Sequence, residues 1–306
     1  MADRMFPCAP RSLGARRGLS GTQLKLLALA LMLLDHIHYF FAFTGAVPLW
    51  FTQLGRLSAP LFLFCTVEGF AHTRDRRRYF GRIWAVAAGM GLVQFCMQYA
   101  GLWWRPDGFV PENGIFLNFV VLLPLWQGVD WLRQRRFARG LTALLLPLVG
   151  WPAAFAVLFI ALGAAFPAAS PWPQALFLLA GYTVLPCWIL FTDGGIYYIL
   201  LGLALYLLRG RRGAQAAAFV ALELLFGLAW PVYRLVQAGL FAPAVLFTSA
   251  FQWMAVFAVV PMLLYNGQRG RGCKALFYAV YPAHIYLLYA LSWWVAEAGD
   301  FPVNPA

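Results

Sequence analysis

Residues Leu24 to Phe43 read LKLLALALMLLDHIHYFFAF. A run of about 20 residues this apolar is what an α-helix needs to cross a hydrocarbon core of about 30 Å. Asp35 and His36 nevertheless stand side by side inside it, and an ionisable side chain in hydrocarbon costs about 2.5–3.5 kcal/mol even on the lenient insertion scale. The pair needs a partner, a cavity or a task.

The rest of the chain supports reading this run as a membrane span. Of 306 residues, 62% are hydrophobic and only 11% charged, which excludes an ordinary soluble domain. Apolar stretches recur at 23–43, 51–72, 81–101, 115–132, 140–166, 175–192, 195–208, 214–236, 243–265 and 274–296. All are helical by length and lack of alternation, because lipid tolerates only backbones that satisfy their own hydrogen bonds. The expected fold is an all-α polytopic transmembrane helical bundle of about nine to eleven spans with a cytosolic N-terminus. Residues 1–22 are expected to form a disordered basic cytosolic tail, 23–296 one transmembrane domain, and 297–306 a short C-terminal tail.

The formal charge of +12 comes from short blocks between apolar runs, among them RDRRR at 74–78, RQRRFAR at 133–139, RGRR at 209–212 and RGRGCK at 269–274. That distribution is the positive-inside pattern and not a nucleic-acid surface. It fits a chain surrounded by membrane lipid, with its basic blocks on the cytosolic side. The cysteines at 8, 65, 96, 187 and 273 have no CxxC or CxH spacing, so neither a disulfide framework nor a zinc site is indicated. Crossings between the basic blocks at 133–139 and 209–212 must be even in number, yet three apolar stretches lie there. Either the proline-rich 140–166 run crosses twice, or the chain is broken or re-entrant at Asp193-Gly194-Gly195, which is favoured because irregular backbone at depth is tolerated where it lines a cavity.

Lys25 and His36 are eleven residues apart, three turns of helix, so they share a face about 16 Å apart along the axis. A phosphopantetheine arm has about that reach. Lys25 near the cytosolic surface would then hold a phosphate of coenzyme A while the thioester reaches His36, a general base or transient acyl acceptor. The plainer alternatives are a lysine snorkelling at the interface and a histidine in an interhelical hydrogen bond. His38 points about 200° away from His36 around the helix, so the two do not form a metal pair. In the second span Arg56 comes to the depth of Asp35 and His36, and an Arg56–Asp35 pair is the simplest mutual compensation. Glu68 and His72 are i,i+4 on one face at the depth of Lys25. They form either the entrance for the donor or a polar cluster closing the bundle. In the last span His284 lies ten residues past Lys274, with Tyr281 and Pro282 just upstream, a second imidazole at mid-membrane. Asp193, Glu223 and Arg234 are further ionisable residues in or beside apolar runs, free to pair among themselves.

The segments MLLDHIH (32–38), LGRLSAPLFLFCTVEGFAHTRDRRRYFGR (54–82), LLYNGQRG (263–270) and FYAVYPAHIYLLY (277–289), in this order, resemble the TraX family of bacterial inner-membrane proteins. Its namesake acetylates the N-terminus of a conjugative pilin. The family is similar in turn to membrane acyltransferases such as the lysosomal heparan glucosamine N-acetyltransferase, in which a first-helix histidine serves transfer from acetyl-CoA and a basic or polar residue recurs eleven positions upstream. The resemblance implies His36 as the catalytic imidazole with Asp35 and Arg56 as neighbours. It implies Lys25, Glu68 and His72 toward acetyl-CoA, and His284, Tyr281 and Asp193 toward the acceptor. The acceptor would be a pilin-like protein or an envelope glycan, and no metal is called for. Two positions depart from the pattern: His38 where a glycine follows DHI, and Asp193-Gly194-Gly195 where the family tends to have Asp-Tyr-Gly. A transporter or a non-catalytic pilus assembly protein would also carry buried ionisable residues, but neither explains the spacing of Lys25 and His36.

Overall fold

The computed structural model describes residues 18–112, 114–167, 169–270 and 274–299, with side chains of 274–278 left aside. Among these the regular elements are helices: α1 (Gly21–Phe41), α2 (Trp50–Gly55), α3 (Ser58–Ala71), α4 (Arg76–Gln98), α5 (Ile115–Arg133), α6 (Phe137–Leu145), α7 (Trp151–Ala165), α8 (Trp172–Thr183), α9 (Gly195–Leu207), α10 (Arg212–Glu223), α11 (Trp230–Gln237), α12 (Val245–Thr248), α13 (Val259–Leu264) and α14 (Lys274–Ala298). Six rods among the described residues are long and apolar enough to cross a membrane: 21–44, 50–71, 76–98, 115–133, 137–165 and 212–237. This is a membrane protein built as a helical bundle.

The bundle begins before residue 23, inside the segment expected to be tail. Ser20 caps α1 with a capping box, its Oγ accepting from the Gln23 amide and its own amide donating to Gln23 Oε1 at 2.8 Å. The next two amides, of Gly21 and Thr22, donate to the carbonyls of Gln268 and Arg269 at 2.8 and 3.1 Å. The first orphan donors of α1 are thereby used up, by its own cap and by the 263–270 motif. The remainder of the expected tail, 1–17, lies outside the described residues, as do 300–306.

Prolines decide where the rods bend. The expected second span is broken at Arg56-Leu57 into α2 and α3, because Pro60 has no amide for the Arg56 carbonyl and its ring crowds it. The 137–165 stretch does not cross twice. It is one rod whose α6 and α7 are joined by a π-helical turn, Leu146–Gly150. Pro152 frees the Leu148 carbonyl, and the Trp188 indole N–H donates to that oxygen at 3.0 Å. Trp188→Phe keeps an aromatic ring, though a smaller one, and orphans the carbonyl, at an expected cost of about 1–3 kcal/mol. Thermal unfolding in detergent will show a lower Tm, and an unchanged Tm would refute the assignment.

The irregular segment falls where the favoured sequence reading places it. Tyr99 donates to the Pro171 carbonyl at 2.8 Å and Tyr182 to Gln98, so both ends of α8 lie against the half of α4 that precedes residue 99. The chain then runs without regular helix to Asp193, whose carbonyl accepts from Asn118 Nδ2 at 2.8 Å in the first turn of α5. Gly194 and Gly195 turn it at φ of +74° and +48°, left-handed values that side-chain-bearing residues rarely adopt. From there α9 runs back the length of α5.

Without a hydrophobic force between rods in lipid, packing and polar ties hold them. One buried acid does much of this at the end where the basic blocks converge. Asp130 of α5 accepts from Arg76 of α4 at 2.8 Å, from Arg209 after α9 at 2.8 Å and from the Tyr206 hydroxyl at 2.7 Å. Phe70 at the end of α3 packs on Trp126 and Tyr206. The 74–78 and 209–212 blocks therefore share one end of the bundle with the start of α1.

Candidate active site

Asp35 and His36 point to different neighbours, as adjacent helix positions about 100° apart must. Asp35 faces α2. It pairs with the Arg56 guanidinium and accepts from Thr52 Oγ1 at 2.6 Å, while Arg56 also donates to Thr52 Oγ1 at 2.9 Å. The expected ion pair is present, at the break that Pro60 imposes. Gly55 allows the approach: a Cβ there would lie 2.3 Å from Asp35 Cβ. Arg56 is thereby bound to the α2 side of α1 and not aimed at the ring of His36.

His36 faces α14. Its ring meets that of His284 edge-on, with centroids 4.8 Å apart. His36 Nδ1 lies 2.8 Å from the Met32 carbonyl and His284 Nδ1 lies 2.9 Å from the Val280 carbonyl. A carbonyl only accepts, so each Nδ1 carries the proton and each Nε2 of the neutral ring holds a free lone pair. His284 is 6% exposed and its Nε2 has no hydrogen-bond partner among the described residues. Two basic nitrogens are thus presented in the bundle interior. Tyr281 packs on His284 at 5.5 Å and on Phe116 of α5 at 4.7 Å.

Lys25, Glu68 and His72 line one cavity of about 210 Å³ at the basic end, together with Cys65, Tyr265 and Arg269. This is the grouping expected from their common depth, with Arg269 as an addition from the 263–270 motif. His72 Nδ1 lies 2.8 Å from the Glu68 carbonyl, turning its Nε2 outward. His36 is not part of this lining. Leu24, Ala28 and Met32 are buried at four-residue intervals along α1, as is Phe40 beyond His36, and Ala28 and Met32 occupy the interval between cavity and imidazole.

Asp193 belongs to a second cavity of about 170 Å³ at the opposite end, with Glu112, Gln98, Tyr182 and Phe116 in its wall. Phe116 separates this cavity from Tyr281 and so from His284. Asp193, Glu223 and Arg234 do not pair with one another: Glu223 accepts from Tyr197, the Asp193 carboxyl accepts from the Gly114 amide, and Arg234 is exposed on α11. His38 takes no part in the imidazole pair.

The loop between α4 and α5 covers the site. Arg105 is 4% exposed and forks onto Asp107, Nε to Oδ1 at 2.8 Å and Nη2 to Oδ2 at 2.7 Å. Tyr289 of α14 donates to the carbonyls of Trp103 and Phe109 at 2.6 and 3.1 Å, and Phe109 packs on Tyr39 one turn past His36. The signal available in the sequence was an Arg-Pro-Asp triplet flanked by Trp104 and Phe109.

The Arg105 hydrogen bonds, joined by the Phe109 amide, hold the Asp107 carboxyl below its usual range despite the opposing effect of burial. A depressed carboxylate pKa stabilises the fold above the ordinary aspartate value, and that contribution is lost as pH falls through the depressed one. Limited proteolysis of the 99–114 loop should show protection at neutral pH that fades in that acid window. Asp107→Asn should be cut faster at neutral pH and lack the acid step; an acid step of wild-type size in the variant would assign it to another group.

Fold and site together define a class, a polytopic helical membrane protein with a histidine pair in the bundle interior and ionisable side chains lining a cavity toward each end. A family model described as "TraX protein" matches residues 20–292, and the chain belongs to that family. Over 68 residues it is 40% identical to a protein of Dichelobacter nodosus described as "Probable fimbrial assembly protein FimC, serogroup H1". That match covers 21% of this chain and 27% of the relative's length. No solved structure matches.

Proposed function

We propose that this protein is an integral membrane acyltransferase. It moves an acetyl group from cytosolic acetyl-CoA to an amine or hydroxyl acceptor, such as the N-terminus of a pilin or an envelope glycan, at the far side of the inner membrane. The observation that carries the reading is the pair of Nε2 lone pairs at His36 and His284, one α1 face and about 16 Å from the Lys25 cavity.

In this reading Lys25 and Arg269 offset phosphate charge at the basic end. The cavity is smaller than the roughly 300–1,000 Å³ of common ligand pockets, so the donor opens the crevice between α1 and α3 as its arm advances toward His36. In the direct route His36 Nε2 takes the proton of the acceptor as its nitrogen or oxygen attacks the thioester carbonyl. Collapse of the tetrahedral intermediate breaks the carbon–sulfur bond, and the imidazolium returns the proton to the departing thiolate. In the two-step route Nε2 itself attacks the carbonyl and the carbon–sulfur bond breaks to release the coenzyme A thiolate; the acceptor's nitrogen or oxygen then attacks the acetyl carbon, the carbon–nitrogen bond to the ring breaks, and the acceptor's proton goes to the thiolate. Tyr281 and the Asp193 cavity lie on the acceptor's side of the pair.

The test supplies membranes with radiolabelled acetyl-CoA and separates protein, lipid and glycan. Label in one fraction that depends on the protein supports the reading and names the acceptor class; no label with acetyl or longer donors sinks it. The fimbrial assembly relative favours one alternative, a non-catalytic assembly role for the same fold. In that case pilus formation would survive loss of both imidazoles.

A further inference from the structure

We propose that Arg105 is a positioning residue that sets the register of α1 against α14 and with it the approach of His36 to His284. Its Nη1 donates to the Phe40 carbonyl at 2.8 Å and lies 3.4 Å from Ser292 Oγ. Phe40 is one turn beyond His36 on α1, and Ser292 is two turns beyond His284 on α14. One guanidinium nitrogen therefore touches both rods just past the two imidazoles. The Phe40 carbonyl is one of the last four of α1, which lack intrahelical partners and carry the negative end of the helix dipole. A cation fixed there is held by more than a single bond.

The clamp is rigid for stated reasons. Asp107 takes the other edge of the guanidinium in a two-bond fork, the geometry only arginine offers. The rings of Phe43 and Phe109 lie on it at 4.3 and 4.2 Å. Ser292 is fully buried and donates to the Tyr289 carbonyl of its own helix at 2.8 Å, which fixes its Oγ, while the Tyr289 hydroxyl ties α14 to the Trp103 and Phe109 carbonyls of the same loop. Axial slip of either rod by one residue moves its imidazole by about 1.5 Å, and misplacement by about 1 Å can cost about 100-fold in rate.

The inference rests on His36 and His284 being the working pair, and its test is read without any acetyl transfer. Cysteines replace His36 and His284 in one chain, and Ala28 and Ser58, joined by a 2.8 Å hydrogen bond between α1 and α3, in another. Both chains have their native cysteines changed to alanine. Bridging by a short bifunctional thiol reagent is timed in membranes. Arg105→Met is expected to slow bridging of the 36/284 pair at least tenfold and leave the 28/58 pair unchanged. Unchanged rates for both pairs would overturn the inference. If methionine abolishes both, Arg105→Lys decides: slowed 36/284 with normal 28/58 supports the clamp, while both normal or both lost counts against it. In the otherwise native chain, Arg105→Met should lower kcat for acetyl transfer and leave KM for acetyl-CoA unchanged. Slowed bridging beside a wild type that transfers nothing would keep the clamp and discard the acyltransferase.

Discussion

For the acyltransferase proposed above, membranes carrying His36→Ala will insert the protein at wild-type level and transfer acetyl groups at least 100-fold more slowly. A positioned general base contributes about 10²–10⁴ in rate, and His36 offers one because its Nδ1 proton is committed to the Met32 carbonyl. Insertion should survive, since the ring makes aromatic-edge contacts with Tyr39, Phe40 and His284 but is the sole partner of no buried charge. His284→Ala separates two roles for the second ring. If His284 steers the acceptor, its loss raises the acceptor's KM more than it lowers kcat. If it is the base, the kcat losses of the two variants match and do not add. The measurement is label transfer with acetyl-CoA and acceptor each varied, normalised to protein recovered in a monodisperse detergent peak. Wild-type turnover in His36→Ala would end the catalytic reading of this site.

The second large effect concerns stability. Asp35→Ala strands the Arg56 guanidinium in the bundle and should cost about 3 kcal/mol, the lower end for a broken buried pair, since the two side chains keep 20% and 30% exposure. Arg56→Met should cost a similar amount, because it leaves Asp35 with Thr52 alone. The double variant Asp35→Ala, Arg56→Met should recover most of the loss, as replacing both charges often does. Detergent melting curves for the four proteins measure this, and additive losses in the double variant would show that the pair is not the source. Transfer should return with the fold to within tenfold of wild type, because Arg56 is bound on the α2 side of α1 while His36 faces α14. If transfer in the folded double variant stays as low as in His36→Ala, Arg56 acts on the reacting carbonyl, as a buried oxyanion donor would.

Sequence reasoning reached these residues because depth in a membrane is local information. Helix rise converts residue number to height, so the common level of Asp35, His36 and Arg56, and that of Lys25, Glu68 and His72, could be read by counting. The positive-inside pattern puts the basic blocks at one end, and the ties of Arg76 and Arg209 to Asp130 agree with it for the 74–78 and 209–212 blocks. Parity of crossings pointed to the break before α9, and two left-handed glycines make it. Pro60 also stands in the sequence, and its effect at Arg56 follows from the missing amide, within a run whose length suits a single span.

Which residues face each other was not legible. In water the buried face of a helix announces itself by hydrophobic periodicity. In lipid both faces are apolar, so the rotation of each rod about its axis leaves little trace in composition. The meeting of His36 with His284, 248 positions away, depends on two such rotations, as does the turning of Asp35 toward α2. Asp130 carries no sequence sign of its role because its partners come from two other segments, and Arg105 carries none because its loop reads as turn residues until Phe40, Phe43 and Ser292 surround it. The sequence by itself determined that this chain is a bundle of membrane-length helices with ionisable groups at two levels, since both follow from the cost of backbone and charge in hydrocarbon. Only the tertiary structure decided that two imidazoles share one site, because that depends on how the rods turn and slide against each other.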